Sequence, residues 1–196
     1  MRQAVQIAEQ YNVTLAMEPE VANVIDSAVK ARRLLDEIGS PQLKVTMDGA
    51  NIYHLGELAR QHEMLDEAFA LLGPDIALAH AKDIDHDGEA GHLAAGKGLL
   101  DYAHYLSLLA RHQPDVALIL HGLTEDELPE SLAYVRGKVP ARAFETSQLV
   151  QTSDAIATAR VIVPDLQPLD VFEVAQTDRT GEYRHMLYGK RVQNDG

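Results

Sequence analysis

Four short apolar runs, each ending in a side chain able to bind a metal ion, constrain the fold of this chain more than any other feature. They are Val13 to Glu18, Leu43 to Asp48, Ile76 to His80 and Val116 to His121, and their last residues lie 30, 32 and 41 positions apart. Each interval fits one strand, one helix and two loops, so the spacing predicts successive βα units and a parallel sheet.

The segments between the runs read as helices. In "NVIDSAVKARRLLDEIGSP", Asp26 or Ser27 is a cap, Val29, Leu34, Leu35 and Ile38 form an apolar stripe, and Gly39 with Pro41 ends the helix. Leu58, Leu65, Phe69 and Leu72 form the next stripe before Gly73-Pro74. Asp101 is a cap for "DYAHYLSLLARH", and Thr124 with Glu127 makes a capping box for the last segment.

Strand alternation assigns faces, because side chains two apart point the same way. Val13, Leu15 and Met17 oppose Thr14, Ala16 and Glu18; Leu43, Val45 and Met47 oppose Lys44, Thr46 and Asp48; Val116, Leu118 and Leu120 oppose Ala117, Ile119 and His121. In the third run Leu78 and His80 oppose Ala77, Ala79 and Ala81, so its polarity is less clean. The pattern predicts an apolar face under helices and a set of ligands at the C-terminal ends of the strands, where βα barrels build their active sites.

Composition narrows the chemistry. The 196 residues carry 17 basic and 30 acidic side chains, a net charge of -13, which repels polyanions and points to a small-molecule substrate rather than nucleic acid. With no cysteine, a metal must be held by carboxylates, imidazoles and water. No apolar stretch approaches the roughly 18 residues of a membrane span, and "MRQAVQIAEQYNV" lacks the apolar core of a signal peptide, so the expected setting is the cytoplasm.

Glu18, Asp48, His80 and His121 form an oxygen- and nitrogen-rich set suited to one divalent ion, Mn²⁺, Zn²⁺ or Mg²⁺. A charged residue at a strand end is ordinarily a solvated cap or salt-bridge partner; four in register at one end of a parallel array point to a site. Asn51 and His54 after the second strand, and Lys82 and Asp83 after His80, are candidates for substrate contact, with Asp83 also a support for His80 or Lys82. Glu20 is two residues past Glu18. Gly96 and Gly98 around Lys97 make a loop that covers a sugar, cradles a phosphate or is merely flexible.

"LAMEPE", "VTMDGANIYHLGE", "ALAHAKD", "GKGLLDY" and "LILHGL", in this order, resemble the second half of the xylose isomerase-like barrel superfamily of sugar-phosphate isomerases and epimerases, over roughly residues 3 to 140. The resemblance implies a divalent metal among a glutamate, an aspartate, a histidine and a second glutamate at the ends of the fifth to eighth strands. By position the first three are Glu18, Asp48 and His80, while His121 stands where the family usually has glutamate. Two metal-side glutamates are thought to serve as acid and base in that family. The histidine therefore disfavours a two-glutamate epimerisation and leaves a one-base isomerisation by Glu18, with His121 either a ligand and proton acceptor or a buried structural residue.

The expected fold is α/β, about four of the eight βα units of a TIM barrel over residues 1–140, followed by an irregular extension, 141–196, with a hairpin at 171–192. A full barrel typically needs about 250 residues, so the half barrel is expected either to associate with another copy or to pair with a missing half. Two other readings accompany the isomerase. One is an endonuclease IV-like abasic-site nuclease, which would call for a histidine at Asn51; the other is a non-catalytic half-barrel interaction module.

Overall fold

A computed structural model describes residues 1–140 and four short strand segments of the tail. Its elements are α1 (Arg2–Tyr11), β1 (Leu15–Met17), α2 (Ala28–Ile38), β2 (Leu43–Asp48), α3 (Gln61–Leu72), β3 (Ile76–Asp83), β4 (Leu93–Ala94), α4 (Tyr102–His112), β5 (Leu118–Leu120) and α5 (Leu128–Lys138). Strands β1, β2, β3 and β5 run parallel in that spatial order, and β4 adds an antiparallel pair at the end of β3. The alternating βα units are thus a partial barrel of the predicted α/β class.

Two strands are shorter than the apolar runs suggest. Val13 is exposed because its amide turns back to the carbonyl of Ala8, closing α1 after Asn12 takes a left-handed conformation at φ 51°. Val116 likewise donates to Gln113, so β5 begins only at Leu118.

Three of these helices, α2, α4 and α5, are started by the capping chemistry that the sequence supplies. Ser27 caps α2 through the Lys30 amide, whereas Asp26 pairs with the Lys30 ammonium. Gly39, at φ 69°, stops α2. Asp101 caps α4 through His104 N, and Thr124 and Glu127 form the capping box before α5. The buried stripe of α2 is Ala31 and Leu35 flanked by Ala28, Leu34 and Ile38; Val29 lies off it and is exposed. Leu58, Leu65, Phe69 and Leu72 are all buried.

α2 packs on α3, α3 on α4 and α4 on α5, forming an outer layer in chain order. Beneath it lie the side chains of one strand parity, Leu43, Val45, Met47, Ala79 and Ala81, all but solvent-free. The opposite parity carries Thr46, Asp48, His80 and Lys82. Pairing of β2 with β3 slips between Val45 and Thr46, after which Asp48 stands beside His80.

Residues 164–196 form a separate compact unit. In it, Phe172–Glu173 pairs antiparallel with Leu187–Tyr188, and Gln176–Thr177 with Tyr183–Arg184. The turn of the hairpin expected at 171–192 and the far side of the boundary at 140/141 lie outside the described residues.

Candidate functional site

Because β2 and β5 both pair in parallel with β3, the last residue of β2, His80 within β3 and the residue just past β5 meet. One ligand atom each of Asp48, His80 and His121 lies within 4.8 Å of the others, a spacing suited to one metal ion. The imidazoles of His80 and His121 stack, with centroids 4.9 Å apart and planes 8° from parallel. Glu18, one residue past β1, joins through its Oε1, which lies 3.3 Å from His80 Nδ1. All four predicted ligands are therefore neighbours at one end of the sheet.

The metal expected from the sequence can be tested on the protein's own polar atoms. Asp48 is fully buried, and its Oδ1 accepts from the Ala50 amide at 2.9 Å, but Oδ2 accepts no hydrogen bond. Lys82 Nζ stands 3.3 Å from that oxygen as an ion-pair partner without hydrogen-bond geometry. His121 Nδ1 is also buried and unpartnered. Leaving a buried polar group without a hydrogen bond costs roughly 1–3 kcal/mol, so His121 Nδ1, and Asp48 Oδ2 with only its ion pair to Lys82, are open to a further partner. Carboxylate and imidazole donors at this spacing fit a divalent ion, and the imidazoles favour Mn²⁺ or Zn²⁺ over Mg²⁺.

Proton affinities follow from the same crowding. Burial pushes the Glu18 carboxyl up, but the His80 hydrogen bond and the charges of His80, Lys82 and His121 outweigh it and hold Glu18 below the ordinary carboxylate value. Burial, with the charges of His80 and Lys82, lowers His121 against the opposing pull of Asp48 and Glu18, favouring neutral imidazole. At Glu20, burial raises the carboxyl; Lys82 opposes this, while Glu18 and Asp48 reinforce it.

The candidate substrate residues separate into two groups. Lys82 is in the site, on the parity of His80. Asn51 is beside it, but its amide is occupied: Nδ2 donates to Glu18 Oε1 at 2.7 Å and Oδ1 accepts from Gly91 N at 3.1 Å. It therefore holds Glu18 in place. Asp83 has the opposite parity and supports neither His80 nor Lys82. Its Oδ1 accepts from the amides of Ile84 and Leu100 at 2.9 and 3.0 Å, and its Oδ2 from Gly96 at 2.9 Å. The amides of Gly96 and Leu100 are thereby taken by Asp83, and Lys97 pairs with Glu130. His54 is half-buried; its backbone amide donates to Glu57 Oε2 at 2.8 Å, and its ring takes no part in the hydrogen bonds of the cluster among the described residues.

Two tyrosines that sequence reasoning passed over brace the site from behind. Tyr105 Oη on α4 lies 3.0 Å from the carbonyl oxygens of both Met47 and His80, sharing one proton between β2 and β3. Tyr102 Oη donates to the carbonyl of Lys82 at 2.8 Å. Their signal was the pair of aromatics three apart on the apolar face of "DYAHYLSLLARH".

Comparison with known proteins agrees with this architecture. A crystal structure titled xylose isomerase domain protein from Planctomyces limnophilus superposes with a TM-score of 0.56 at 17% identity, covering 70% of this chain and 49% of that one. The probable 3-DHS dehydratase AsbF from Bacillus anthracis, described as involved in petrobactin synthesis, gives 0.54 at 18% identity over 69% and 52% of the two chains. The chain thus spans about half the length of these structures, and at such identity the likeness is one of fold. A search of curated proteins finds no match. Among the described residues no helix is long and apolar enough to cross a membrane. A family profile described as xylose isomerase-like TIM barrel matches residues 1–137, and the chain belongs to that family.

Proposed function

We propose that this chain carries the metal-binding half of a sugar or sugar-phosphate isomerase or epimerase-like site that works by carbonyl polarisation and proton transfer. The observation that supports the reading most is the meeting of Glu18, Asp48, His80 and His121 at one sheet end, with His121 Nδ1 buried and without a hydrogen bond and Asp48 Oδ2 buried with only its ion pair to Lys82. A divalent ion held by these residues would supply Lewis-acid polarisation of a substrate carbonyl. Glu18, ionised and steadied by Asn51 and His80, takes the proton from the carbon beside that carbonyl. His121, neutral near pH 7, has a single lone pair to give, so it acts either as the fourth ligand of that ion or, with the ion held by the other three residues, as the group that accepts and returns a proton on the substrate oxygen side. The Lys82 ammonium faces the developing negative charge or an anionic substituent, and His54 contacts hydroxyls at the rim. Asn51 and Asp83 act as supports, the first for Glu18 and the second for the loop after β4.

The reading takes a cytoplasmic setting and an assembly in which the outer edges of β1 and β5 are covered by a second copy or by another half barrel. Two rival readings have less support. For an abasic-site nuclease, Asn51 occupies the position where a histidine would be required, and a net charge of -13 opposes DNA binding. A non-catalytic module gives no reason for a buried cluster of two carboxylates and two imidazoles in which His121 Nδ1 has no hydrogen bond.

The test is carbon-bound proton exchange. Aldoses, ketoses and their phosphates are incubated with the Mn²⁺- or Zn²⁺-loaded chain in D₂O, and deuterium at the carbon next to the carbonyl is followed by NMR. Metal-dependent exchange that Glu18→Gln abolishes is the expected result. If Glu18→Gln combined with Asp48→Asn leaves stoichiometric metal binding intact, the site is wrongly assigned.

A further inference from the structure

The loop that follows β3, "IDHDGEAGH" from Ile84 to His92, carries a second cluster of ligand-type side chains outside the site described above. One ligand atom each of Asp85, His86 and His92 lies within 4.8 Å of the others. Asp85 Oδ1 is 2.5 Å from His86 Nδ1 and 3.6 Å from His92 Nε2, and the far nitrogen of His86 is 3.7 Å from Glu89 Oε2. The two imidazole centroids are 5.4 Å apart and their planes are tilted by 56°, so the rings converge on the carboxylate rather than stack.

This loop is held in shape by contacts that leave those ligands free. Gly88 N donates to Tyr53 O and Gly91 N to Ala50 O, each at 3.0 Å, pinning the loop to the segment after β2. A Cβ at Gly91 would lie 2.4 Å from that of Ala50, so the approach requires glycine. Asp87 uses its carboxylate inward, accepting from Gly56 N at 3.0 Å and Leu58 N at 2.9 Å. Its neighbours at positions 85, 86 and 92 remain exposed on a frame already fixed at both ends.

We propose that Asp85, His86 and His92 form a second, solvent-facing site for a divalent transition metal, with Glu89 or water completing the coordination. Two imidazoles and one or two carboxylates select Zn²⁺, Cu²⁺, Co²⁺ or Ni²⁺ over Mg²⁺ and Ca²⁺, whose preference is for oxygen. Binding displaces the proton between Asp85 Oδ1 and His86 Nδ1, to the far ring nitrogen of a neutral imidazole or to solvent from an imidazolium, since both atoms must present lone pairs to the ion. Because His92 directly precedes β4 and Asp85 lies two residues past the end of β3, the ion joins the two ends of the loop that returns to pair with β3. It is independent of the strand-end cluster, with which it shares no residue.

The experiment is equilibrium dialysis of the full chain, stripped by chelator, against micromolar Zn²⁺, comparing wild type with the double variant His86→Ala/His92→Ala and with Asp48→Asn/His80→Ala. The wild type is expected to hold one more tightly bound equivalent than the loop variant, whatever the strand-end variant does. The difference therefore reads the loop site alone, and failure of the isomerase reading leaves it intact. With Cu²⁺, in the Asp48→Asn/His80→Ala background that breaks up the strand-end pair of imidazoles, electron paramagnetic resonance is expected to show nitrogen hyperfine structure from two imidazoles that disappears when His86 and His92 are replaced as well. Circular dichroism melting of the metal-free loop variant should match wild type, since the altered residues are exposed. Equal zinc stoichiometry in wild type and loop variant, or a difference seen only at millimolar zinc, overturns the proposal.

Discussion

Lys82 and Asp83 are consecutive in the chain, yet their carboxylate and amide partners lie on opposite faces of β3. Lys82 Nζ reaches Asp48 Oδ2 at 3.3 Å within the cluster, while Asp83 turns the other way and gathers the amides of Ile84, Gly96 and Leu100. One residue of register therefore divides the site from its scaffold.

Asp83→Ala removes the buried carboxylate that accepts from three backbone amides, leaving those donors without it, and should destabilise the fold by roughly 3 kcal/mol, measured by urea unfolding. Gly98→Ala should act in the same direction, because its Cβ would lie 2.4 Å from the Ile84 carbonyl oxygen and 2.5 Å from Asp83 Oδ1. Retention of full stability by both variants would show that the loop does not depend on this carboxylate.

Asp48→Asn keeps the shape of the side chain and the bond to Ala50 but removes the charge that Lys82 and a divalent ion need. Metal affinity should fall by more than the roughly 10- to 100-fold typical of residues that only support a ligand, as read by isothermal titration calorimetry. Asn51→Ala should spare most of the metal affinity and instead slow substrate proton exchange about 10- to 100-fold, because it frees Glu18 rather than removing a ligand. A variant with unchanged exchange would remove Asn51 from the machinery.

His121 has its proton affinity lowered in the folded chain, so the unfolded chain binds more protons over the interval between the two values. Stability of the metal-free chain should accordingly be highest above about pH 6.5, the ordinary histidine value, and decline as pH falls below it toward the lowered folded value. Glu18 is lowered as well; its contribution is present above the ordinary glutamate value of 4.5 and is lost as pH falls toward its own, lower value. Denaturant unfolding from pH 7.5 to 4 in the presence of chelator tests both. His121→Gln should flatten the upper part of the decline, and Glu18→Gln the lower part.

Zinc or manganese should raise the melting temperature of the wild-type chain in proportion to the logarithm of free metal once the site is saturated, as ligand linkage requires. In Asp48→Asn/His80→Ala that dependence should shrink to whatever the loop histidines contribute. An unchanged dependence would place the stabilising ion somewhere other than the strand ends.

Much of the scaffold was legible because it depends on local chemistry. The runs ending at Glu18, Asp48, His80 and His121 give the strand order, Asp101 and the Thr124/Glu127 box give the helix starts, and alternation gives the buried parity of β2. What was not legible comes from contacts between residues far apart in the chain. Asn51 has no local sign that its amide reaches Glu18, and Asp83 bonds to residues up to 17 positions away. The slip between Val45 and Thr46 follows from how β2 meets β3 and not from either sequence. Val29 shows the limit of periodicity on a helix whose packed stripe is built around alanine at positions 28 and 31.

The hydroxyl of Tyr105 clips the carbonyls of Met47 and His80 from the far side of the sheet, directly behind the two neighbouring side chains Asp48 and His80. The gap between those donors is consequently gauged by a helix that never faces the cleft. Preference among ions of different radius can then drift through substitutions on α4, with every ligand unchanged.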